Sequence, residues 1–325
     1  MALKEREMDL YKISKNSLES IKSAQFKLEK DIQSLVESNL EALFKLKMVS
    51  TEFSVGDFRL DTLCYDEEST SFVIIEYKRG CSYSVIDQGY SYLSVMLNNK
   101  AEFILEYNEV FDIPLKRSDI DWSSSRVIFI SPSFNTYQRN SVNFKDVPFE
   151  LWEIKRFEGG LVSLEQLQSD SDESVEKITG SDKESLISQV SKEVKVYSES
   201  DHTRKGTDGV IEIWREIRSR FEDLPSVRIF ATKMYIGMKK EGKLFSAVRF
   251  YRNHLLIDFN RGDIKPGGAK SKGFFDLEDP KAMSTKRQWT YKSGVVGNAY
   301  VIKIENISDL EYIVYLIQQK YESIG

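Results

Sequence analysis

A short, almost wholly apolar run that ends in charged residues constrains this chain more than any other feature. Residues 72–78 read FVIIEYK, and a run of this length and composition predicts a strand buried on both faces. Side chains alternate along a strand, so Glu76 and Lys78 share one face with Ile74. A carboxylate and an ammonium group therefore project side by side from the end of a buried strand, where an unpaired charge is costly.

The strand before it carries a second carboxylate. Residues 58–65 also alternate, and this places four side chains together on one face, namely Arg59, Asp61, Leu63 and Tyr65. Asp61 thus lies on a face that also carries apolar side chains. Two carboxylates on neighbouring strands beside a lysine form a hard-oxygen site, of the kind that Mg²⁺ accepts through one or two carboxylates plus substrate phosphate. The lysine would add positive charge beside a phosphate or an attacking water.

The spacing of Asp61, then Glu76-x-Lys78, resembles the core of the PD-(D/E)XK nuclease superfamily, which has the restriction-endonuclease-like fold. Gln88 and Tyr92 lie four residues apart on one face of the following helix, and resemble the Q-x-x-x-Y element of the RecB-like branch. The resemblance covers residues 20–157. One departure is that Leu60 stands where the superfamily's name has proline.

The same resemblance extends to the first long helix. Glu29 is in register with its apolar positions, where many of these nucleases keep an acidic residue.

The resemblance implies an Mg²⁺- or Mn²⁺-dependent endonuclease that hydrolyses phosphodiester bonds in nucleic acid, with DNA favoured over RNA. The implied setting is restriction or phage defence. Asp61, Glu76 and the main-chain carbonyl of Tyr77 would ligate the metal ion. Lys78 would orient or polarise the attacking water, and Gln88 would position that water or Lys78.

The hypothesis also gives roles to residues outside the metal-binding pair. Glu29 is a candidate for a second metal ion or an ordered water, which completes a catalytic set of Asp61, Glu76, Lys78, Gln88 and Glu29. The candidate substrate-binding residues are Arg59, Arg79 and Tyr92, although either arginine could instead pair with a neighbouring acid. A homodimer is left open, because many members of the superfamily cut two strands as dimers.

An alternative is a catalytically silent nuclease fold that binds nucleic acid or a protein partner. The sequence feature against it is the completeness of the set, since Asp61, Glu76, Lys78 and Gln88 are all present. Membrane transport is a third class, and the apolar segments it requires are missing.

Composition narrows the chemistry. Two cysteines, Cys64 and Cys81, exclude a disulfide framework, and two histidines leave little for a histidine-metal nuclease or a serine triad. Catalysis would therefore depend on carboxylates, lysine and metal. No apolar run reaches the roughly 18 residues that span a bilayer, and the charged amino terminus does not fit a signal peptide. We expect a cytoplasmic protein without membrane contact.

The pattern predicts an α/β fold with a restriction-endonuclease-like mixed central sheet flanked by helices over residues 1–157. A helix is predicted over 27–47, strands over 49–53, 58–65, 72–78, 126–131 and 149–157, and helices over 83–98 and 100–108. A polar linker follows over 158–204, with a possible helix at 183–196.

A small α+β domain with an antiparallel β-meander is predicted over 205–325. It has helices over 209–224 and 309–321 and strands over 228–239, 243–251, 255–260 and 300–305. It resembles a small uncharacterised domain often appended to such nucleases, and could select substrate or a partner.

The second domain is basic. Residues 228–292 hold 15 basic and 6 acidic side chains, a local charge of +9 in a chain whose net charge is −5. This favours a phosphate-binding surface, and the equally weighted alternative is a solvated sheet face with ordinary lysines. Four aromatic side chains near the Gly/Lys-rich loop 261–273 could stack on bases but are more often core, namely Phe274, Phe275, Trp289 and Tyr291.

Overall fold

The computed structural model describes residues 9–79, 85–144, 146–167, 171, 173, 185–290 and 294–324. Cys81, Tyr83 and Tyr291 lie outside these ranges. The chain forms two compact units. The first comprises Met1–Phe111 and Leu115–Lys195, and the second comprises Asp112–Pro114 and Val196–Gly325. Within the described part, no helix is long and apolar enough to cross a membrane.

The first unit is built on a mixed seven-stranded sheet. A separate hairpin of β1 (Leu10–Ser14) and β2 (Ser17–Ile21) precedes it. The sheet strands are β3 (Ser23–Ala24), β4 (Lys47–Val55), β5 (Phe58–Asp66), β6 (Ser71–Tyr77), β7 (Arg126–Ser131), β8 (Phe149–Phe157) and β9 (Leu161–Leu167). In the described residues their order is β3-β8-β7-β6-β5-β4, with β9 beside β8. β6, β7 and β8 run parallel, and β5 is antiparallel to β6.

Helices cover both faces of this sheet, which confirms the predicted mixed α/β architecture. They are α1 (Glu29–Glu37), α2 (Leu40–Phe44), α3 (Val85–Asn98), α4 (Lys100–Phe111), α5 (Thr136–Ser141) and α6 (Leu186–Glu193). Ile32 and Val36 of α1 pack on one face with Ile75 of β6. On the other face, Phe103 of α4 packs against Phe72 of β6. Every residue of β6 is therefore buried.

The single helix predicted over 27–47 is wrong, because the structure has two short helices there. The Ser38 hydroxyl donates to the Ser34 carbonyl and the Asn39 side-chain amide donates to the Leu35 carbonyl, each at 2.8 Å. Side chains that bond back to the preceding turn compete with the helical ladder, and α1 ends at this point. Lys45 then adopts a left-handed conformation (φ 58°) and the chain enters β4.

The described part of the predicted linker includes a strand and a helix. β9 pairs with β8 along its whole length, from Leu161 opposite Phe157 to Leu167 opposite Leu151. α6 lies within the helix predicted over 183–196 and packs against α3. The sequence does not predict β9, because three of its seven residues are Ser, Glu and Gln. Polar residues of this kind are typical of a strand that pairs on one side only.

The second unit combines helices with a six-stranded antiparallel sheet. Its helices are α7 (Glu199–Thr203), α8 (Asp208–Phe221) and α9 (Leu310–Glu322), and its strands are β10 (Val227–Ala231), β11 (Ile236–Lys240), β12 (Lys243–Phe250), β13 (Leu255–Ile264), β14 (Ser284–Thr290) and β15 (Val296–Ile304). Their order among the described residues is β10-β11-β12-β13-β15-β14. Ile213 and Ile217 of α8 and Ile313 of α9 share one core with Phe245 and Ile257 of the sheet.

This sheet is larger than the predicted meander. The strand predicted over 228–239 is a hairpin, because the Thr232 hydroxyl accepts the N–H groups of Met234 (3.2 Å) and Tyr235 (3.1 Å) and closes a turn. The sequence does not predict β14, whose polar and largely exposed side chains suit an edge strand.

Candidate active site

The register between β5 and β6 sets Asp61 across from Glu76. The last pair of the ladder is Thr62 opposite Ile75, and one further step along both strands brings the two carboxylates together on one face. The ladder ends there, and Asp61 Oδ2 accepts the N–H of Tyr77 at 2.9 Å in place of a strand carbonyl. A backbone donor therefore fixes this carboxylate at the end of β6.

Glu76 is the centre of a hydrogen-bonded cluster. It is 4% exposed, and its Oε1 accepts from Lys78 Nζ at 2.6 Å and from Gln88 Nε2 at 2.7 Å. The Gln88 amide also donates to Tyr92 Oη at 2.7 Å. Burial, followed by the Glu76 charge, raises the pKa of Tyr92. The structure thus brings Asp61, Glu76, Lys78, Gln88 and Tyr92 together.

This cluster holds two carboxylates but only one cationic side chain, Lys78. Glu76 Oε2 is buried and has no hydrogen-bond partner among the described residues. Burial and then the Glu76 charge raise the pKa of Asp61 to about 7, although the Tyr77 N–H and the Lys78 charge act in the opposite direction. Both observations suit a site for a divalent ion, because such an ion supplies a partner for carboxylate oxygens and favours their ionised forms.

The donor set fits a hard divalent cation such as Mg²⁺ or Mn²⁺, with Asp61 and Glu76 holding it. Mg²⁺ is commonly bound by one or two carboxylates plus waters and substrate phosphate. Across the described ranges, no group of three or more His, Cys, Asp or Glu side chains is placed to hold a metal ion. The main-chain carbonyl of Tyr77 stays a predicted ligand.

Three predicted residues lie outside the cluster. Glu29 is exposed at the start of α1, not within the apolar stripe, and its Oε2 accepts the Arg79 N–H at 3.0 Å just beyond Lys78. The Arg79 side chain is exposed. Arg59 is 67% exposed and its Nε lies 2.6 Å from Glu52 Oε2, so it pairs with a neighbouring acid.

A polar network that the sequence did not predict lies on the opposite face of β5. Gln33 Nε2 donates to the Asp61 carbonyl at 3.1 Å. The Thr62 hydroxyl donates to Glu37 Oε1 at 2.6 Å and forms a second hydrogen bond, of 3.2 Å, with the Tyr77 hydroxyl. The sequence feature that could have indicated this network is a row of polar residues spaced four apart on one side of α1, namely Glu29, Gln33 and Glu37. This network holds the backbone at Asp61 from behind.

A second Glu-x-Lys pair, Glu153 and Lys155 on β8, shows what a structural ion cluster looks like in this sheet. Glu153 is 5% exposed. Its Oε1 accepts from Arg139 Nη2 at 2.7 Å and from the Phe134 N–H at 3.2 Å, and its Oε2 lies 3.6 Å from Lys155 Nζ. Both oxygens therefore have partners, in contrast to Glu76.

No family model matches the chain. It is 41% identical over 315 residues to an uncharacterized protein of Haemophilus influenzae, in a match that covers 96% of this chain and 99% of that protein. Among solved structures, it is similar in part to an EndoMS–dsDNA2 complex, with a TM-score of 0.26 and 15% identity over 45% of this chain and 64% of that one. It is also similar in part to a repair endonuclease from Pyrococcus abyssi, with a TM-score of 0.20 and 13% identity over 41% of this chain and 59% of that one. The chain thus spans less than two thirds of either solved protein.

Proposed function

We propose that this chain, which belongs to the same family as the uncharacterized Haemophilus influenzae protein, is a divalent-metal-dependent nuclease of restriction-endonuclease-like fold that hydrolyses phosphodiester bonds in DNA. The observation that carries the proposal is the pair Asp61 and Glu76, in which one buried Glu76 oxygen has no donor within the described ranges and the pKa of Asp61 is raised to about 7. Such perturbed groups are typical of functional sites.

Each residue of the cluster has a role. Asp61 and Glu76 bind the metal ion, which when bound acts as a Lewis acid on the phosphate. Lys78 is 20% exposed, so its ammonium can reach substrate while it stays bonded to Glu76. There it orients the attacking water and stabilises charge on the phosphate. Gln88 holds Glu76 Oε1 from α3 and so fixes the position of Lys78.

The test is cleavage of DNA and of RNA by the purified protein with Mg²⁺, with Mn²⁺ and with EDTA. We expect cleavage that needs the cation, and a loss of about a hundredfold or more in Glu76→Gln and Lys78→Ala. The matched control is Lys155→Ala, which removes the lysine of the second Glu-x-Lys pair and should retain activity within about twofold. If Glu76→Gln and Lys78→Ala cleave as well as the parent, the roles are wrong. Tight binding without cleavage, insensitive to EDTA, would favour the silent module.

A further inference from the structure

The sheet of the second unit has two unlike faces. The helices α8 and α9 pack on one of them, and the strand residues that point there are apolar. Because side chains alternate, the register defines the opposite face. One row across it, with one residue from each strand, is Phe230, Gly237, Ala247, Asp258, Val301 and Thr285. The charged and aromatic side chains in register with this row define what we call the basic face, which also carries Leu244, Leu256 and Asn260: Arg228, Phe230, Lys239, Arg249, Asp258, Asp263, Arg287, Trp289 and Lys303.

Positive charge dominates the basic face. Five of its side chains are Arg or Lys and two are Asp. Arg287 is 50% exposed and Arg228 is exposed as well, whereas Lys303, 53% exposed, pairs with Glu305. Asp258, in contrast, is only 8% exposed. The charge that solvent and a ligand meet on this face is therefore mainly positive, which suits a polyanion.

Asp258 positions two arginines in the middle of the face. Arg249 Nη1 lies 2.6 Å from Asp258 Oδ2, and Arg287 Nη1 lies 3.7 Å from Oδ1. Neither contact has hydrogen-bond geometry, since both Asp258 oxygens are without a hydrogen-bond partner among the described residues. The carboxylate thus attracts the two guanidinium groups at one Nη atom each, and because a guanidinium carries five N–H donors, the remaining donors can serve a phosphate.

An aromatic ring lies over a glycine at each edge of the sheet. A Cβ on Gly237 would be 2.4 Å from the Phe230 ring, and a Cβ on Gly297 would be 2.3 Å from the Trp289 ring. A cation accompanies each ring, with Lys239 Nζ at 4.5 Å from the Phe230 centroid and the Arg287 guanidinium carbon at 5.4 Å from the Trp289 centroid. Rings over glycines also strengthen edge strands, but rings beside arginines on one basic sheet face are the means by which proteins bind unpaired bases.

We propose that the basic face binds single-stranded nucleic acid, with phosphates at Arg249 and Arg287 and bases against Phe230 and Trp289. The inference goes beyond the proposed cleavage, because binding here uses no residue of the Asp61 cluster. The two rings lie on the outermost strands of the six, β10 and β14. Five strand spacings of about 4.8 Å separate them, so a bound strand crosses roughly 24 Å of sheet.

The test is fluorescence anisotropy of the full-length protein with labelled oligonucleotides of about 12 nucleotides. Oligo-dT and oligo-U distinguish DNA from RNA, and EDTA prevents cleavage, so the result is independent of the nuclease proposal. We expect Arg287→Ala to weaken binding of a single strand about three- to tenfold and to reduce the salt slope by about one. Lys286→Ala is the matched control, because it removes the same charge from the neighbouring residue of β14 on the other side of the sheet. It should change affinity less than about twofold.

Trp289→Ala tests the stacking. We expect it to weaken single-strand binding by about tenfold or more, and Trp289→Phe to restore most of that loss. Phe230→Ala repeats the test at the other edge of the sheet. Thermal melting establishes that each variant is folded. Equal losses in Arg287→Ala and Lys286→Ala, no loss in either folded aromatic variant, or duplex DNA that binds as tightly as the single strand would each overturn the proposal.

Discussion

Asp61 carries a stability cost that follows from its surroundings. Its pKa is raised from the ordinary value of 3.8 to about 7, mainly by burial. The folded protein therefore holds a proton that the unfolded chain releases, and stability falls as pH rises between these two values. Above about pH 7 the ionised Asp61 carboxylate lowers the free energy of unfolding by on the order of a few kcal/mol, unless a cation binds to it.

We predict that Asp61→Asn is more stable than the parent at about pH 8 without divalent cations, because the amide carries no charge and its oxygen can still accept the Tyr77 N–H. Near pH 4 the difference should largely vanish. Urea unfolding across this pH range measures it. Asp57→Asn, an exposed aspartate in the turn between β4 and β5, is the control and should follow the parent. Equal pH slopes in Asp61→Asn and the parent would contradict the assignment.

The buried Glu76 Oε2, which has no partner in the part of the chain that the structure describes, leads to a second prediction with a readout other than activity. Mg²⁺ or Mn²⁺ at millimolar concentration should raise the thermal midpoint of the parent, since a ligand that binds only the folded state stabilises it. Glu76→Gln should lose most of this shift, because the amide is neutral. Glu153→Gln changes a buried carboxylate whose oxygens both have partners. It should keep the shift even if it melts lower, and an equal shift in Glu76→Gln would exclude metal binding through this carboxylate.

Thr62 is the residue through which the network behind the site reaches both Glu37 and Tyr77. It is fully buried. Thr62→Val keeps the shape and removes both hydrogen bonds, so we expect a loss of about 1–3 kcal/mol in the free energy of unfolding. Thr51→Val removes another donor to Glu37, but Thr51 is exposed, and the loss should be below about 0.5 kcal/mol. Urea unfolding of both variants compares them, and equal losses would mean that burial does not govern this network.

At the scale of elements, α3 must approach the sheet closely to deliver Gln88 to Glu76. Gly89 makes this possible, because a Cβ there would lie 2.5 Å from the Phe149 ring. That ring is held by Tyr90 and Phe129, at centroid distances of 4.9 Å and 6.1 Å. It has little room to move aside.

We therefore expect Gly89→Ala to destabilise the protein by about 1–3 kcal/mol, and to lower cleavage through the displacement of Gln88. Gly209→Ala in α8 is the matched change, since a Cβ there would meet nothing within 4 Å. It should stabilise the protein by up to about 1 kcal/mol, because alanine is the better helix former. Thermal unfolding shows whether each variant is more or less stable than the parent. A stabilised Gly89→Ala would show that α3 can shift without cost.

The elements that the sequence predicts well are those whose pattern is simple. The predicted strands 126–131 and 149–157 coincide with β7 and β8, and the charged end of β6 placed Glu76 and Lys78 on one face. Edge strands such as β9 and β14 were missed, since pairing on one side leaves little apolar signal. The break in the first helix depends on side-chain bonds of Ser38 and Asn39. Gln33 and Glu37 were missed because their role depends on how α1 lies on β5, which periodicity does not fix.

At the scale of the whole molecule, the groups proposed to cleave nucleic acid and the groups proposed to bind it belong to different units. The carboxylate cluster belongs to the first unit and the basic face to the second. An interaction made equally with substrate and transition state changes KM alone, whereas one made only in the transition state changes kcat. Together the two proposals therefore predict that variants of the Asp61 cluster lower kcat, whereas variants of the basic face raise KM.

We predict that Arg287→Ala raises KM for a single-stranded DNA substrate about three- to tenfold with kcat nearly unchanged, because its proposed phosphate contact uses no residue of the Asp61 cluster and is made equally with substrate and transition state. Lys78→Ala should lower kcat by about a hundredfold or more with little change in KM, because its charge acts on the transition state. Steady-state cleavage of a labelled oligonucleotide with Mg²⁺ measures both constants, with Lys286→Ala as the control for Arg287→Ala. A fall in kcat for Arg287→Ala equal to that for Lys78→Ala would mean that the basic face takes part in the chemical step, and the separation of tasks between the units would be wrong.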